Sequence, residues 1–482
     1  MPSQVSEVAT RRARLLIAGE WTSGGETFQV FDKFSGEPIG EADRASKEQV
    51  AAAVTAARHS FEQTRLDPYD RYRILYRASE LIEKHRDEFV RTIVAEAGFP
   101  VADATNEVSR AIQTFIVSAE EGKRLAGEMV PIEAAPGHAH RMAFSIRVAR
   151  GVVCGITSFN APLNMVAHKV APALASGNTV VIKPAPATPF SAALLFQILL
   201  DAGLPPQHAN LVQGPGAEIG GWLTENPAIA FYTFTGSTAV GRLLQRSVGL
   251  RPIALELGSI AGTIVCEDAD LERAAPRVAN SAFRRAGQAC TSTQKLFVHE
   301  RVFDRFTDLF VGATRALRVG DPHDPATVIG PMISEQEARR AESWVADAVA
   351  AGAQIVEGGR RAGALLYPTI LRDTAPQMRV VCDEIFAPVV SLIPFRSLDS
   401  VIDEMNATPF GLSAGLFTSD VTRAMVAARR LHVGVVHINE SSSSRVDLMP
   451  FGGVKDSGIG REGPRYAMRE MTEERLITIS LA

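Results

Sequence analysis

Cysteine acts as a nucleophile through its thiolate, and it needs partners to do so. The chain has four cysteines, and Cys290 stands apart from the rest. It lies in Ala286-Gly287-Gln288-Ala289-Cys290-Thr291-Ser292-Thr293, where no Leu, Ile or Phe is present to bury it. A thiol on such a glycine-flanked turn after a helix can face a cleft. Cys154, Cys266 and Cys382 follow Val152-Val153, Ile264-Val265 and Val380-Val381, and are expected to be core thiols. A possible base is Glu256, within Ala254-Leu255-Glu256-Leu257-Gly258. A carboxylate buried there without a partner has a raised pKa and works as a general base near neutral pH. Asn160, in Thr157-Ser158-Phe159-Asn160-Ala161-Pro162, offers an amide on a loop after a strand. Each residue alone also has a bland reading: a core thiol, a salt-bridged carboxylate and a turn asparagine.

The elements that must position these groups are legible from periodicity. Helical spacing runs from Glu48 to about Glu128, with Leu75, Ala78, Leu81, Ile82, Phe89 and Ile93 on one stripe. Met142, Phe144, Ile146 and Val148 alternate with Ala143, Ser145 and Arg147, the mark of a half-buried strand. Strands are expected at Val152–Ile156, Thr179–Ile182, Asn210–Val212 and Ala230–Phe234, with a helix at Ala192–Ala202. That β-α-β alternation builds a parallel sheet, the usual platform for a nucleotide. A second run of such units begins at Asp270, the expected N-cap of a helix reaching Arg285, with further helices near Ser334–Ala351 and Val421–Leu431. Ile477, Ile479 and Leu481 alternate with polar residues, so a terminal strand needs a partner sheet, which Met142–Val148 could provide within the subunit or across an interface. Gly236-Ser237-Thr238-Ala239-Val240-Gly241 follows a strand and opens a helix, where glycines and a helix N-terminus favour a pyrophosphate.

Bulk properties limit the remaining possibilities. At 482 residues the chain calls for two or three domains. A net charge of −4 gives no reason to expect nucleic acid or an anionic membrane as partner. The apolar stretch Leu163–Ile182 is interrupted by His168, Lys169, Pro172 and Asn178, and cannot span a bilayer. Arg11, Arg12 and Arg14 precede no apolar segment of the kind a signal peptide has. The cysteines show no metal-ligand spacing, so no metal is expected, and their scarcity favours a reducing, cytoplasmic location.

Seven short segments occur in an order that resembles the aldehyde dehydrogenase superfamily over essentially the whole chain. They are Ser158-Phe159-Asn160-Ala161-Pro162, Lys183-Pro184-Ala185, Phe234-Thr235-Gly236-Ser237-Thr238, Leu255-Glu256-Leu257-Gly258, Gly287-Gln288-Ala289-Cys290, Glu384-Ile385-Phe386-Ala387-Pro388, and Pro450-Phe451-Gly452-Gly453-Val454-Lys455 before Ser457-Gly458. The resemblance implies an α/β fold with two Rossmann-like parallel-sheet domains and a small β oligomerisation flap. It implies that Cys290 is the nucleophile, that Asn160 and the Cys290 N–H form an oxyanion hole, and that Glu256 activates the water that hydrolyses a thioester. NAD or NADP is the implied cofactor. Lys183 is implied for the adenosine ribose, Glu384 for the nicotinamide ribose and Phe386 beside the nicotinamide; Thr157, Ser158, Phe159, Ala185, Pro186, Gly214, Phe234, Thr235, Gly236, Ser237, Val240, Leu257 and Gly258 complete the site. Pro186 stands where NAD-preferring relatives often carry a carboxylate, so a 2′-phosphate is not repelled. Ser259 replaces the usual second glycine after Glu-Leu-Gly, and its Cβ is expected to crowd the backbone.

The segment Asn106–Ala111 and the ending Arg445–Phe451 resemble the branch containing lactaldehyde, phosphonoacetaldehyde and non-phosphorylating glyceraldehyde-3-phosphate dehydrogenases. On that resemblance Arg110, Arg445 and Thr291 are the substrate residues, and a short hydroxylated or anionic aldehyde is the expected substrate. An uncharged aromatic or aliphatic aldehyde is the alternative; a CoA-acylating enzyme and an inactive structural homologue rank lower, since Cys290, Asn160 and Glu256 are all intact. The expected division is 1–129 and 148–257 for the cofactor domain, 258–465 for the catalytic domain, and 130–147 with 466–482 for the flap of a dimer or tetramer.

Overall fold

The computed structural model describes residues 11–481. The outermost ends of the expected domains, residues 1–10 and Ala482, lie outside the described residues. Among these residues the long helical region resolves into four helices, Lys47–Gln63, Pro68–Lys84, Arg86–Ala97 and Val101–Gly122. Local chemistry sets the breaks. Ser46 and Gln49 form a capping box, Asp67 caps a helix with Pro68 in its first turn, and Gly98 ends another at φ 71°. Leu75, Ala78, Ile82, Phe89 and Ile93 are fully buried on the expected stripe, joined by Val108 and Phe115 from the fourth helix.

Five parallel strands form the centre of the first sheet, in the spatial order Ile253–Glu256, Ile229–Thr235, Val152–Ile156, Thr179–Lys183 and Ala209–Leu211. The antiparallel strands Leu15–Ile17 and Glu20–Thr22 extend one edge, and Gly458–Ile459 closes the other. The second sheet orders Gln354–Glu357, Thr369–Arg372, Val389–Phe395, Thr293–His299, Ala261–Val265, Ser413–Phe417 and Val435–Ile438, all parallel except the first. Both sheets are covered by helices, which is why their central strands are buried along most of their length. The α/β architecture with Rossmann-like sheets therefore stands as the sequence implied.

A third sheet joins strands distant in sequence. Thr472–Ser480 pairs antiparallel with Arg141–Ala149 within the subunit, and Met129–Val130 adds a short third strand. Met142, Ile146, Leu476 and Ile479 remain exposed on it. One thiol departs from expectation. Cys154 and Cys266 are buried, but Cys382 is exposed, because Val380 and Val381 form the buried side of the short helix Arg379–Cys382 and its last residue turns outward.

Candidate active site

The first sheet brings five loops to one edge. Its strands run in chain order from Val152–Ile156 outward to Ala209–Leu211, then resume on the other side with Ile229–Thr235. The loops diverge at that reversal, and the carboxyl ends of the strands form a crevice there. All the cofactor residues expected on this sheet lie at or just beyond those ends: Thr157, Ser158 and Phe159; Lys183, Ala185 and Pro186; Gly214; Phe234, Thr235, Gly236 and Ser237, with Val240 in the next helix; and Leu257 with Gly258.

The donors and spaces at this edge fit a dinucleotide. Lys183 is buried, and among the described residues its Nζ donates only to the Pro184 carbonyl, at 3.1 Å. Burial lowers it to about 8, and its two remaining donors suit ribose hydroxyls. The buried Thr157 Oγ1 has no partner among the described residues. Ser237 caps Thr238–Val248. A Cβ on Gly241 would stand 2.3 Å from Leu257, so this glycine lets the helix lie close against the sheet. Across the crevice, the Glu384 carboxylate accepts the Ser259 N–H at 2.9 Å, and burial pushes Glu384 up to about 7. Phe386 takes φ +48° and meets Phe159 edge to face at 6.0 Å. Ser259 is accommodated: its φ is not positive, whereas a Cβ on Gly258 would meet Glu384 Oε2 at 2.6 Å.

Cys290 follows a strained turn. Asp270 caps Leu271–Phe283 as expected, but the helix stops two residues short of Arg285. Arg285 and Ala286 adopt φ of 54° and 52°, and Gly287 follows at 68°. Two L residues in left-handed backbone cost energy that surrounding contacts must offset. Arg285 provides one such contact, for its Nη1 donates to the Asn160 carbonyl at 3.0 Å while its guanidinium lies 4.6 Å from the Phe99 ring centroid. The turn that carries the thiol is thereby tied to the loop that carries the amide.

The half-buried Cys290 opens on a cavity of about 510 Å³ that Asn160, Thr291 and Arg445 also line. Asn160 Oδ1 accepts from Ser158 at 2.7 Å, and its Nδ2 has no partner among the described residues. Glu256 closes the strand Ile253–Glu256; it is buried, and its Oε2 is unpartnered among the described residues. Burial and the nearby Glu462 raise it well above the ordinary carboxylate range. Burial and Glu256 together push the Cys290 thiol up to about 12. Each group thus resists ionisation while the other is charged.

The two arginines expected to meet substrate are engaged elsewhere. Arg110 grips Asp447 with Nε at 3.2 Å and Nη2 at 2.8 Å. Arg445 donates to Glu462 at 3.0 Å and lies 4.0 Å from the Phe451 ring centroid. Asp447 also accepts from His168 at 2.9 Å, and Glu462 from Lys169 at 3.1 Å. Burial opposes ionisation of both acids, but His168 and Arg110 outweigh it at Asp447, as Lys169 and Arg445 do at Glu462, so both stay charged. Arg284, which sequence reasoning passed over, is the freer cation. It lines the cavity and makes no hydrogen bond among the described residues, with Asp103 at 3.9 Å. The adjacent basic pair Arg284-Arg285, ahead of the thiol, was the signal available.

No helix among the described residues is long and apolar enough to cross a membrane. The chain matches the Aldehyde dehydrogenase family over residues 21–477. It is 45% identical over 467 residues to a 3-sulfolactaldehyde dehydrogenase of Priestia aryabhattai, covering 97% of this chain and 98% of that one. Aldehyde dehydrogenase 21 from Physcomitrella patens, solved with the reaction product succinate, superposes with a TM-score of 0.95 at 33% identity, covering 98% and 99% of the two chains. Glyceraldehyde-3-phosphate dehydrogenase GapN from Methanocaldococcus jannaschii, complexed with NADP, gives a TM-score of 0.91 at 37% identity, with 94% and 99% covered. The protein belongs to the aldehyde dehydrogenase family, as an oxidoreductase that acts on the aldehyde group with NAD or NADP.

Proposed function

We propose that the protein oxidises a short, hydroxylated or anionic aldehyde to the carboxylic acid through a thioester on Cys290. The observation that carries this reading is a half-buried thiol and a free amide on one cavity, with a buried carboxylate near enough to act on the thiol's charge and one of its oxygens unpartnered among the described residues. The Cys290 proton is released to solvent as Sγ bonds to the carbonyl carbon. Asn160 Nδ2 and the Cys290 N–H hold the oxygen as it gains charge. NAD or NADP, when bound, supplies the hydride acceptor, with Lys183 and Glu384 holding its riboses. Glu256 then takes a proton from water, the water oxygen bonds to the thioester carbon, the C–S bond breaks, and the acid leaves.

Arg284 supports an anionic group on the substrate. Burial depresses its pKa, and the like charges of Arg285 and Arg110 add to that, with Asp103 offsetting part of the effect. An anion in the cavity relieves both repulsions and takes up idle donors. The relative named for 3-sulfolactaldehyde acts on a molecule with a hydroxyl beside the aldehyde and a sulfonate beyond it, and the structure solved with succinate holds a dicarboxylate product. The test is formation of reduced nicotinamide, followed by absorbance, with 3-sulfolactaldehyde, succinic semialdehyde, lactaldehyde, propionaldehyde and benzaldehyde, each with NAD and NADP. Higher kcat/KM on the first three supports the reading. A preference for benzaldehyde overturns it.

A further inference from the structure

Beside the thiol, the cavity wall is built from hydroxyl groups. Thr291 follows Cys290 directly, and Ser443 comes from the loop after Val435–Ile438; both are half-buried and both line the cavity. Their oxygens lie 3.0 Å apart. Buried hydroxyls behind them lock the two segments together. Ser442 Oγ donates to the Thr291 carbonyl at 2.8 Å and lies 2.9 Å from Thr293 Oγ1. Thr293 in turn lies 2.8 Å from Thr263 Oγ1 and 3.0 Å from Ser281 Oγ. The Ser442 N–H donates to Thr263 at 3.2 Å, and Ser413 Oγ donates to the Ser442 carbonyl at 2.6 Å. Packing that holds a backbone needs no such ladder on its exposed side, yet Thr291 and Ser443 present polar atoms to the space where the reacting carbon sits.

We infer that Thr291 and Ser443 recognise a hydroxyl on the carbon next to the aldehyde, and so set a preference for one hand of a 2-hydroxyaldehyde. Each hydroxyl has one donor and two acceptor positions. Their mutual bond uses one donor and one acceptor, which leaves one O–H and three lone pairs. A substrate hydroxyl can donate to one oxygen and accept from the other. Once Cys290 Sγ bonds to the aldehyde carbon, the neighbouring carbon is held close to residue 291. Both hydroxyls lie on one side of the cavity, so only one configuration at that carbon turns its hydroxyl toward them. Because the pair satisfies itself when empty, a substrate lacking the hydroxyl is disfavoured but not rejected.

The inference rests on the oxidation proposed above, and propionaldehyde separates the two. Wild type should oxidise one enantiomer of lactaldehyde with kcat/KM about 2- to 12-fold above propionaldehyde, the range of a single neutral hydrogen bond. Ser443→Ala should remove most of that advantage and bring the two enantiomers together, while propionaldehyde changes less than about 2-fold; Thr291→Val should bring the enantiomers together as well. Ser443→Thr should keep the preference. Equal losses on lactaldehyde and propionaldehyde would mean that the hydroxyls serve the backbone alone, and would overturn the inference. So would a wild type that treats both enantiomers and propionaldehyde alike. Failure to oxidise any of the aldehydes would instead overturn the proposed function.

Discussion

The sharpest division of labour concerns Arg284 and Arg110, which line one cavity in different states. Arg284 has idle donors and 29% of its side chain exposed, whereas Arg110 is bound through two N–H groups to a nearly buried Asp447. A charge-assisted hydrogen bond contributes about 1.5–3 kcal/mol, or about 10- to 150-fold in kcat/KM. Arg284 is partly solvated, so Arg284→Ala should fall near the low end, about 10-fold, on succinic semialdehyde or 3-sulfolactaldehyde. Propionaldehyde should be nearly unaffected, because Cys290 and Glu256 are untouched. Arg284→Lys should restore part of the loss through charge without the planar fork. Arg110→Ala has a different signature. It leaves Asp447 buried and short of a partner, a change that costs about 3–5 kcal/mol of stability, and it loosens the loop behind Arg445. Its effect should fall on charged and neutral aldehydes alike, together with a lower Tm. Selective loss on anionic aldehydes in Arg110→Ala, or equal losses in Arg284→Ala, would refute the assignment.

Glu256→Gln should release one burst of reduced nicotinamide per site and then stall at the thioester, which stopped-flow absorbance would register; unchanged steady-state turnover would remove Glu256 from deacylation. Because burial and Glu462 raise Glu256, it is protonated on the acid side of its shifted value, so kcat should climb as pH rises through that value; a flat profile from acid to neutral would count against it. Asp447 is held below the ordinary carboxylate range despite burial, by His168 and Arg110, so it stabilises the fold above its unfolded pKa of about 3.9, and that contribution is lost as pH falls through the folded value. The Tm gap between wild type and Asp447→Asn should be full at pH 7 and narrow below about pH 4. The exposed apolar residues Met142, Ile146, Leu476 and Ile479 on an open-edged sheet should be covered by a second subunit; a monodisperse monomer by light scattering at micromolar concentration would contradict that.

Legibility in the sequence followed the range of the forces involved. Four strands of the first sheet were plain because burial on both faces makes them largely apolar runs, and Asn210–Val212 differed from the observed Ala209–Leu211 by one position; the strands of the second sheet went unnamed. Alternation offered Met142–Val148 as a partner for the terminal strand, within the subunit or across an interface, and the pairing observed is within the subunit. The N-terminal strands Leu15–Ile17 and Glu20–Thr22 went unread, being three residues each, too short for a period to declare itself. Cys382 misled because two apolar neighbours look the same on a strand and on one turn of helix, and only the latter turns the third residue outward.

At the site, chemistry carried by residue type and local sequence was readable, and chemistry carried by pairing was not. Cys290, Glu256 and Asn160 could be singled out from their neighbours along the chain. The state of an arginine depends on which carboxylate reaches it, and Asp447 lies 337 residues from Arg110 in sequence. No local pattern separates an arginine held by such a partner from one left free, and so Arg110 could be singled out with no sign that Asp447 holds it, while Arg284 was passed over. The same reasoning explains the left-handed turn. Arg285 and Ala286 carry no local preference for φ above zero; their conformation is imposed where Arg285 reaches the Asn160 carbonyl, 125 residues away. Strain in that turn therefore links thiol and amide, and its removal should be felt at both. Arg285→Ala deletes the tether without touching either reacting group. It should slow alkylation of Cys290 by iodoacetamide or make it heterogeneous, and it should lower kcat on charged and neutral aldehydes by the same factor. Wild-type alkylation kinetics in that variant would show that the turn holds its shape without the tether.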